Sequence, residues 1–127
     1  PRTVAIAPNG LVWVANRTGS SISVIDPVTL TVSRTIGLPR ASQPHGIAFA
    51  PTGGFAFVTL EATGQVLKYD ATTFARVGTA SVGANPRHVA VSADGASVYV
   101  SRFVTPPLPG EGTASVLPGT AGGEVVV

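Results

Sequence analysis

One stretch of this chain occurs three times. Pro1-Arg2-Thr3-Val4-Ala5-Ile6-Ala7-Pro8-Asn9-Gly10 returns as Pro44-His45-Gly46-Ile47-Ala48-Phe49-Ala50-Pro51-Thr52-Gly53. It returns again as Pro86-Arg87-His88-Val89-Ala90-Val91-Ser92-Ala93-Asp94-Gly95. The offsets are 43 and 42 residues. A supersecondary unit of that length cannot bury its apolar face alone, so successive copies must stack on one another. The repeat therefore limits the fold to architectures built by stacking one small unit.

Each unit reads as short strands separated by turns. The first strand is expected at residues 4–7, 47–50 and 89–92, where larger apolar residues alternate with Ala or Ser. Alternate residues face opposite sides of a strand, so one side is bulky and the other small. Pro8-Asn9-Gly10, Pro51-Thr52-Gly53-Gly54 and Ala93-Asp94-Gly95 follow as turns, with Gly supplying positive φ. Second strands are expected at residues 12–14, 55–58 and 98–100, carrying Trp13, Phe57 and Tyr99 at nearly equivalent positions as core between units. Third strands at residues 21–25 and 65–69 run into Asp26 and Asp70, whose carboxylates suit a turn that bonds its own backbone. Fourth strands at residues 31–36 and 76–82 are the most polar, as outer edges should be.

Composition agrees. Only 11% of residues are charged against 44% apolar, with 15 Gly and 11 Pro. Helix-rich surfaces carry more charge, about 25% in a typical soluble domain. A period of this size with four strands per unit is that of a propeller blade. The expected fold is all-β: a β-propeller fragment of about three blades, each a four-stranded antiparallel meander. The blades are expected at residues 1–43, 44–85 and 86–127. The third is incomplete. Residues 105–123, with four Pro and five Gly, read as an inserted loop, and a strand resumes only at residues 124–127. The chain opens at Pro1-Arg2-Thr3 and has no Met, so it is expected to be a piece of a longer repeat protein.

The units resemble the YVTN repeat family of β-propellers. Its pattern is Pro, an apolar strand, Asp or Asn with Gly, an aromatic-Val strand, then a strand ending in Ile-Asp. Val98-Tyr99-Val100-Ser101 and Ser23-Val24-Ile25-Asp26 match it best. The resemblance implies an exported bacterial protein, periplasmic or extracellular, acting as a binding or interaction module. It also implies two alternatives: a propeller module of a haem or quinone redox protein, or a lactonase-like hydrolase. The expected partners are the remaining blades of a longer propeller, and a protein or redox partner.

The residue after each blade-initial Pro is basic: Arg2, His45 and Arg87, with His88 one place later. On loops leading into the inner strands, these four would gather at one mouth of a central channel. There they would bind a carboxylate, a phosphate or a cofactor propionate. The plainer alternative is a set of solvated or turn-bonding loop residues. Protonation of His45 below about pH 6.5 is expected to strengthen such a site.

Other chemistry finds little footing. With no Cys there is no disulfide, thiolate metal site or c-type haem attachment in this stretch. Neither G-x-S-x-G, a P-loop nor H-E-x-x-H occurs, and no particular cofactor is indicated. A metal site is not expected, because no carboxylate recurs beside the two His. The net charge of +2 comes from scattered residues, so nucleic acid is not an expected partner. No apolar run approaches the roughly 20 residues of a membrane span. Asn16-Arg17-Thr18 is a formal glycosylation sequon on an expected loop.

Overall fold

The computed structural model describes residues 1–52, 54–103 and 124–127. The described residues form β-strands and turns without a helix. Blade 1 is β1 (Thr3–Ile6), β2 (Val12–Asn16), β3 (Ser21–Asp26) and β4 (Thr31–Gly37). Blade 2 is β5 (Pro44–Phe49), β6 (Phe55–Leu60), β7 (Gln65–Asp70) and β8 (Arg76–Ser81). Blade 3 has β9 (Pro86–Val91), β10 (Val98–Arg102) and β11 (Glu124–Val126). Each sheet is an antiparallel meander in chain order, four-stranded in the first two blades and three-stranded in the third. The expected loop at residues 105–123 lies outside the described residues.

Local chemistry explains the repeat. Asp26 Oδ1 accepts hydrogen bonds from the backbone N–H groups of Val28 and Thr29 at 2.8 and 3.3 Å. Asp70 Oδ1 does the same for Thr72 and Thr73, both at 2.8 Å. One carboxylate thus organises the reversal from third to fourth strand in each complete blade. The fourth strands β4 and β8 are almost wholly exposed, as expected of outer edges.

The blades stack with their first strands adjacent: β1 lies against β5, and β5 against β9. Trp13 sits between blades 1 and 2 with no exposed surface. Its ring meets Phe49 edge-on at 5.3 Å and Tyr69 at 6.4 Å, and lies 5.8 Å from Phe74. Burying an indole among three aromatic rings places the largest buried side chain of the described residues at this interface. The other two aromatics at this repeat position differ from the expectation. Phe57 is half-buried, and Tyr99 is 42% exposed because no described blade packs against that side of blade 3.

Blade 3 is attached mainly through its inner strand. Thr59 Oγ1 accepts from the Gly46 N–H at 2.7 Å and donates to the Arg87 carbonyl at 2.6 Å, joining β5 to β9. Gly46 is needed there. A Cβ at residue 46 would collide with the Arg87 carbonyl oxygen and come within 3.0 Å of Thr59 Oγ1.

Candidate functional site

The three inner strands start at one rim of the stack. The second strands run antiparallel to them, so their C-terminal ends reach the same rim. Residues 2, 45, 87 and 88 are therefore joined there by Arg17, Glu61 and Phe103. Those three share one repeat position, four residues after Trp13, Phe57 and Tyr99.

Glu61 is the hub. Its side chain is 7% exposed. Oε2 accepts from Arg17 Nε and Nη2 at 3.1 and 2.9 Å. Oε1 accepts from Arg87 Nε at 2.8 Å. Arg17 Nη2 also reaches Gln43 Oε1 at 2.7 Å. One carboxylate of blade 2 thus ties a guanidinium of blade 1 to one of blade 3. Burial pushes the Glu61 carboxyl up, but the hydrogen bonds and charges of Arg17 and Arg87 outweigh it and hold it below the usual range. The Arg87 guanidinium lies 3.6 Å over the Phe103 ring, a stacking that favours a flat cation.

A second chain of contacts runs beside this hub. Arg2 Nε donates to His45 Nε2 at 3.1 Å, and the His45 and His88 rings meet edge-to-face at 5.4 Å. An imidazole accepting at Nε2 is neutral and carries its proton on Nδ1. His45 Nδ1 is buried without a hydrogen-bond partner among the described residues. Burial depresses the His45 pKa, and the adjacent Arg2 adds to that.

The four sequence-predicted residues are thus brought together, with two corrections. They do not all lie on loops: His45 is in β5, and Arg87 and His88 are in β9. His45 also does not titrate at its ordinary pKa of 6.5, so it is not a cation that switches on just below that value. Glu61 and Arg17 were not singled out from the sequence as site residues. The usable signal was the charge exchange at one repeat position, Arg17 against Glu61. Asn16, expected on a loop, ends β2, where its Nδ2 donates to Ser21 and Ser23.

The arrangement offers three guanidiniums, two imidazoles and one carboxylate at one rim. The carboxylate is spent on Arg17 and Arg87. Arg2 is exposed and engages only a neutral ring through its Nε. Unpaired positive charge of this kind attracts anions. Among the described residues no group of three or more His, Cys, Asp or Glu could hold a metal ion. Among the described residues no helix is long and apolar enough to cross a membrane.

No protein-family profile matches the chain. A 54-residue stretch is 41% identical to the PE-PGRS family protein PE_PGRS18 of Mycobacterium tuberculosis, covering 42% of this chain and 11% of that protein. Among solved structures, hydrazine synthase of Kuenenia stuttgartiensis superimposes with a TM-score of 0.71 at 25% identity, over 78% of this chain and 28% of that one. The dihydro-heme d1 dehydrogenase NirN, solved in complex with DHE, gives 0.65 at 26% identity, over 82% and 22%. The periplasmic gluconolactonase PpgL of Pseudomonas aeruginosa gives 0.64 at 22% identity, over 78% and 32%. The chain thus spans about a third or less of each solved chain and a smaller share of the curated relative. These structures are propellers, and the fold of this chain is that of an unclosed part of a β-propeller.

Proposed function

We propose that the chain is part of an exported β-propeller of YVTN type. In this reading it serves as a binding module whose channel mouth, formed by Arg2, His45, Arg87 and His88, takes a small anion such as a carboxylate or phosphate. The observation that carries this is the charge imbalance at the rim. Glu61 neutralises only one of the two guanidiniums it touches, and Arg2 meets no carboxylate among the described residues. Clustered cations against low-dielectric walls concentrate anions. The extracytoplasmic location rests on the sequence pattern and on the periplasmic neighbour. A propeller module of a haem or quinone redox protein is the second reading, favoured by the likeness to the dihydro-heme d1 dehydrogenase NirN at 26% identity. The lactonase-like reading has the fold alone behind it.

Calorimetric titration with inorganic phosphate and with citrate tests the anion site. Binding should weaken as salt is raised. It should fall about tenfold or more in Arg2→Ala, in line with losing a charge-assisted contact. Glu61→Gln should tighten binding, because the internal anion that competes for Arg17 and Arg87 is removed. If neither substitution changes affinity, or if no anion binds, Arg2 and the two His return to a purely structural role.

A further inference from the structure

His45 is a buried base with charged groups facing it from every element around it. It is the second residue of β5 and is 3% exposed. Arg2 acts on it from just ahead of β1, Glu61 from just after β6, and Arg87 and His88 from β9. Glu61 alone among these is an anion, and it is already bound by Arg17 and Arg87.

Two observations define the state of the ring. Nε2 accepts from Arg2 Nε at 3.1 Å, so the imidazole is neutral with its proton on Nδ1. Nδ1 is buried and meets no acceptor among the described residues, a cost that native structures rarely carry. The side-chain hydrogen bond from Arg2 is thus what holds the neutral ring. The Arg2 backbone is fixed, its N–H donating to the Ala15 carbonyl at 2.7 Å. The residue is exposed, so its guanidinium has solvent to turn into.

A proton on His45 changes both partners. An imidazolium donates at both nitrogens and no longer accepts from Arg2. Two cationic donors then face each other, and the exposed guanidinium is the one that moves. The rim gains a positive charge together with a guanidinium turned outward. Glu61 offers no compensation, because its two oxygens are taken by two arginines.

We propose that the anion site at this rim is coupled to a proton: the anion binds together with protonation of His45, which releases Arg2 to the ligand. This rests on the reading of the rim as an anion site and adds its regulation. The coupling is reciprocal, so an anion that favours the protonated ring binds more tightly as protons become abundant. Affinity therefore rises as pH falls from about 8 to about 5, by up to about tenfold per pH unit for one proton. Glu61, lowered from 4.5, stays ionised across that range.

The test is calorimetric titration of the chain with sulfate, whose charge is constant over this range. Titrations in two buffers of different ionisation enthalpy count the protons. The expected result is proton uptake on binding and a tightening towards acid pH. Both should persist in His88→Gln and disappear in His45→Gln, whose amide still accepts from Arg2 but takes no proton. Circular dichroism checks that both variants are folded. If His45→Gln is not, NMR of the His45 ring in the parent chain decides, because sulfate must then raise its titration midpoint. Sulfate bound with pH-independent affinity and no proton uptake, or a dependence that disappears with His88 instead, overturns the coupling and leaves the anion site standing. No sulfate bound at any pH overturns the anion site, and the coupling with it.

Discussion

At the residue scale, two buried ionisable groups at the rim respond to acid in separate windows. His45 is 3% exposed and Glu61 6%. Burial, with help from Arg2, lowers the His45 pKa below 6.5. Between the unfolded value and that lowered value the unfolded chain binds the extra proton, so stability falls as pH drops below about 6.5. Glu61 is also lowered, from 4.5, through Arg17 and Arg87 acting against its own burial. Its contribution is present above that value and is lost as pH falls through the lower folded one. Urea midpoints against pH should therefore decline in two steps, the first starting near 6.5 and the second below 4.5. His45→Asn should remove the first step and keep the second. A single acid transition below pH 4.5 in the parent chain would show that His45 is not held neutral by the fold.

At the scale of elements, the junction of β5 with β9 is one hydroxyl wide. Thr59 satisfies the Gly46 N–H and the Arg87 carbonyl together, and Gly46 leaves room for β9 to approach. Thr59→Val keeps the shape and orphans both backbone groups, which should cost about 1–3 kcal/mol. Gly46→Ala forces the strands apart and should cost about the same. Thr59→Ser should be nearly neutral; chemical denaturation of the three variants would check the order. The strands themselves were legible in the sequence. Alternation, Gly turns and the Asp of each reversal are local signals, and they matched every described strand to within a few residues. The junction was not legible. Nothing in Phe55-Ala56-Phe57-Val58-Thr59-Leu60 says that one hydroxyl will face another blade. For the same reason the site was only half visible. Arg2, His45 and Arg87 recur in register, whereas Glu61 joins them because antiparallel strands return to the rim from a distant part of the repeat.

For the whole molecule, the buried apolar cluster formed by the described residues is confined to two blades. It runs from Ala7, Trp13, Ile22 and Val24 of blade 1 to Val58, Leu60, Leu67 and Tyr69 of blade 2, with no member from blade 3. Blade 3 buries Val100 and Pro86. It is otherwise held by Thr59, by the Glu61–Arg87 pair and by the packing of β9 on β5 and β6. Between blade 2 and blade 3, Phe57, Val66, Lys68, Val98 and Val126 border a cavity of about 480 Å³. The equivalent space between blades 1 and 2 holds the Trp13 ring and its three aromatic neighbours. Open space forfeits the dispersion contacts that a filled interface makes, so the described strands of blade 3 are expected to be held less tightly than blades 1 and 2 hold each other. Backbone amides open in cooperative units whose free energies follow such differences in packing. Hydrogen exchange should accordingly separate the blades. Amides of β2, β3, β6 and β7 should exchange only by global unfolding, with a common denaturant dependence. Those of β10 and β11 should exchange at a lower free energy through a partial opening that leaves blades 1 and 2 intact. Equal protection across all three blades would mean that the polar links through Thr59 and Glu61 couple the third blade as tightly as Trp13 couples the first two.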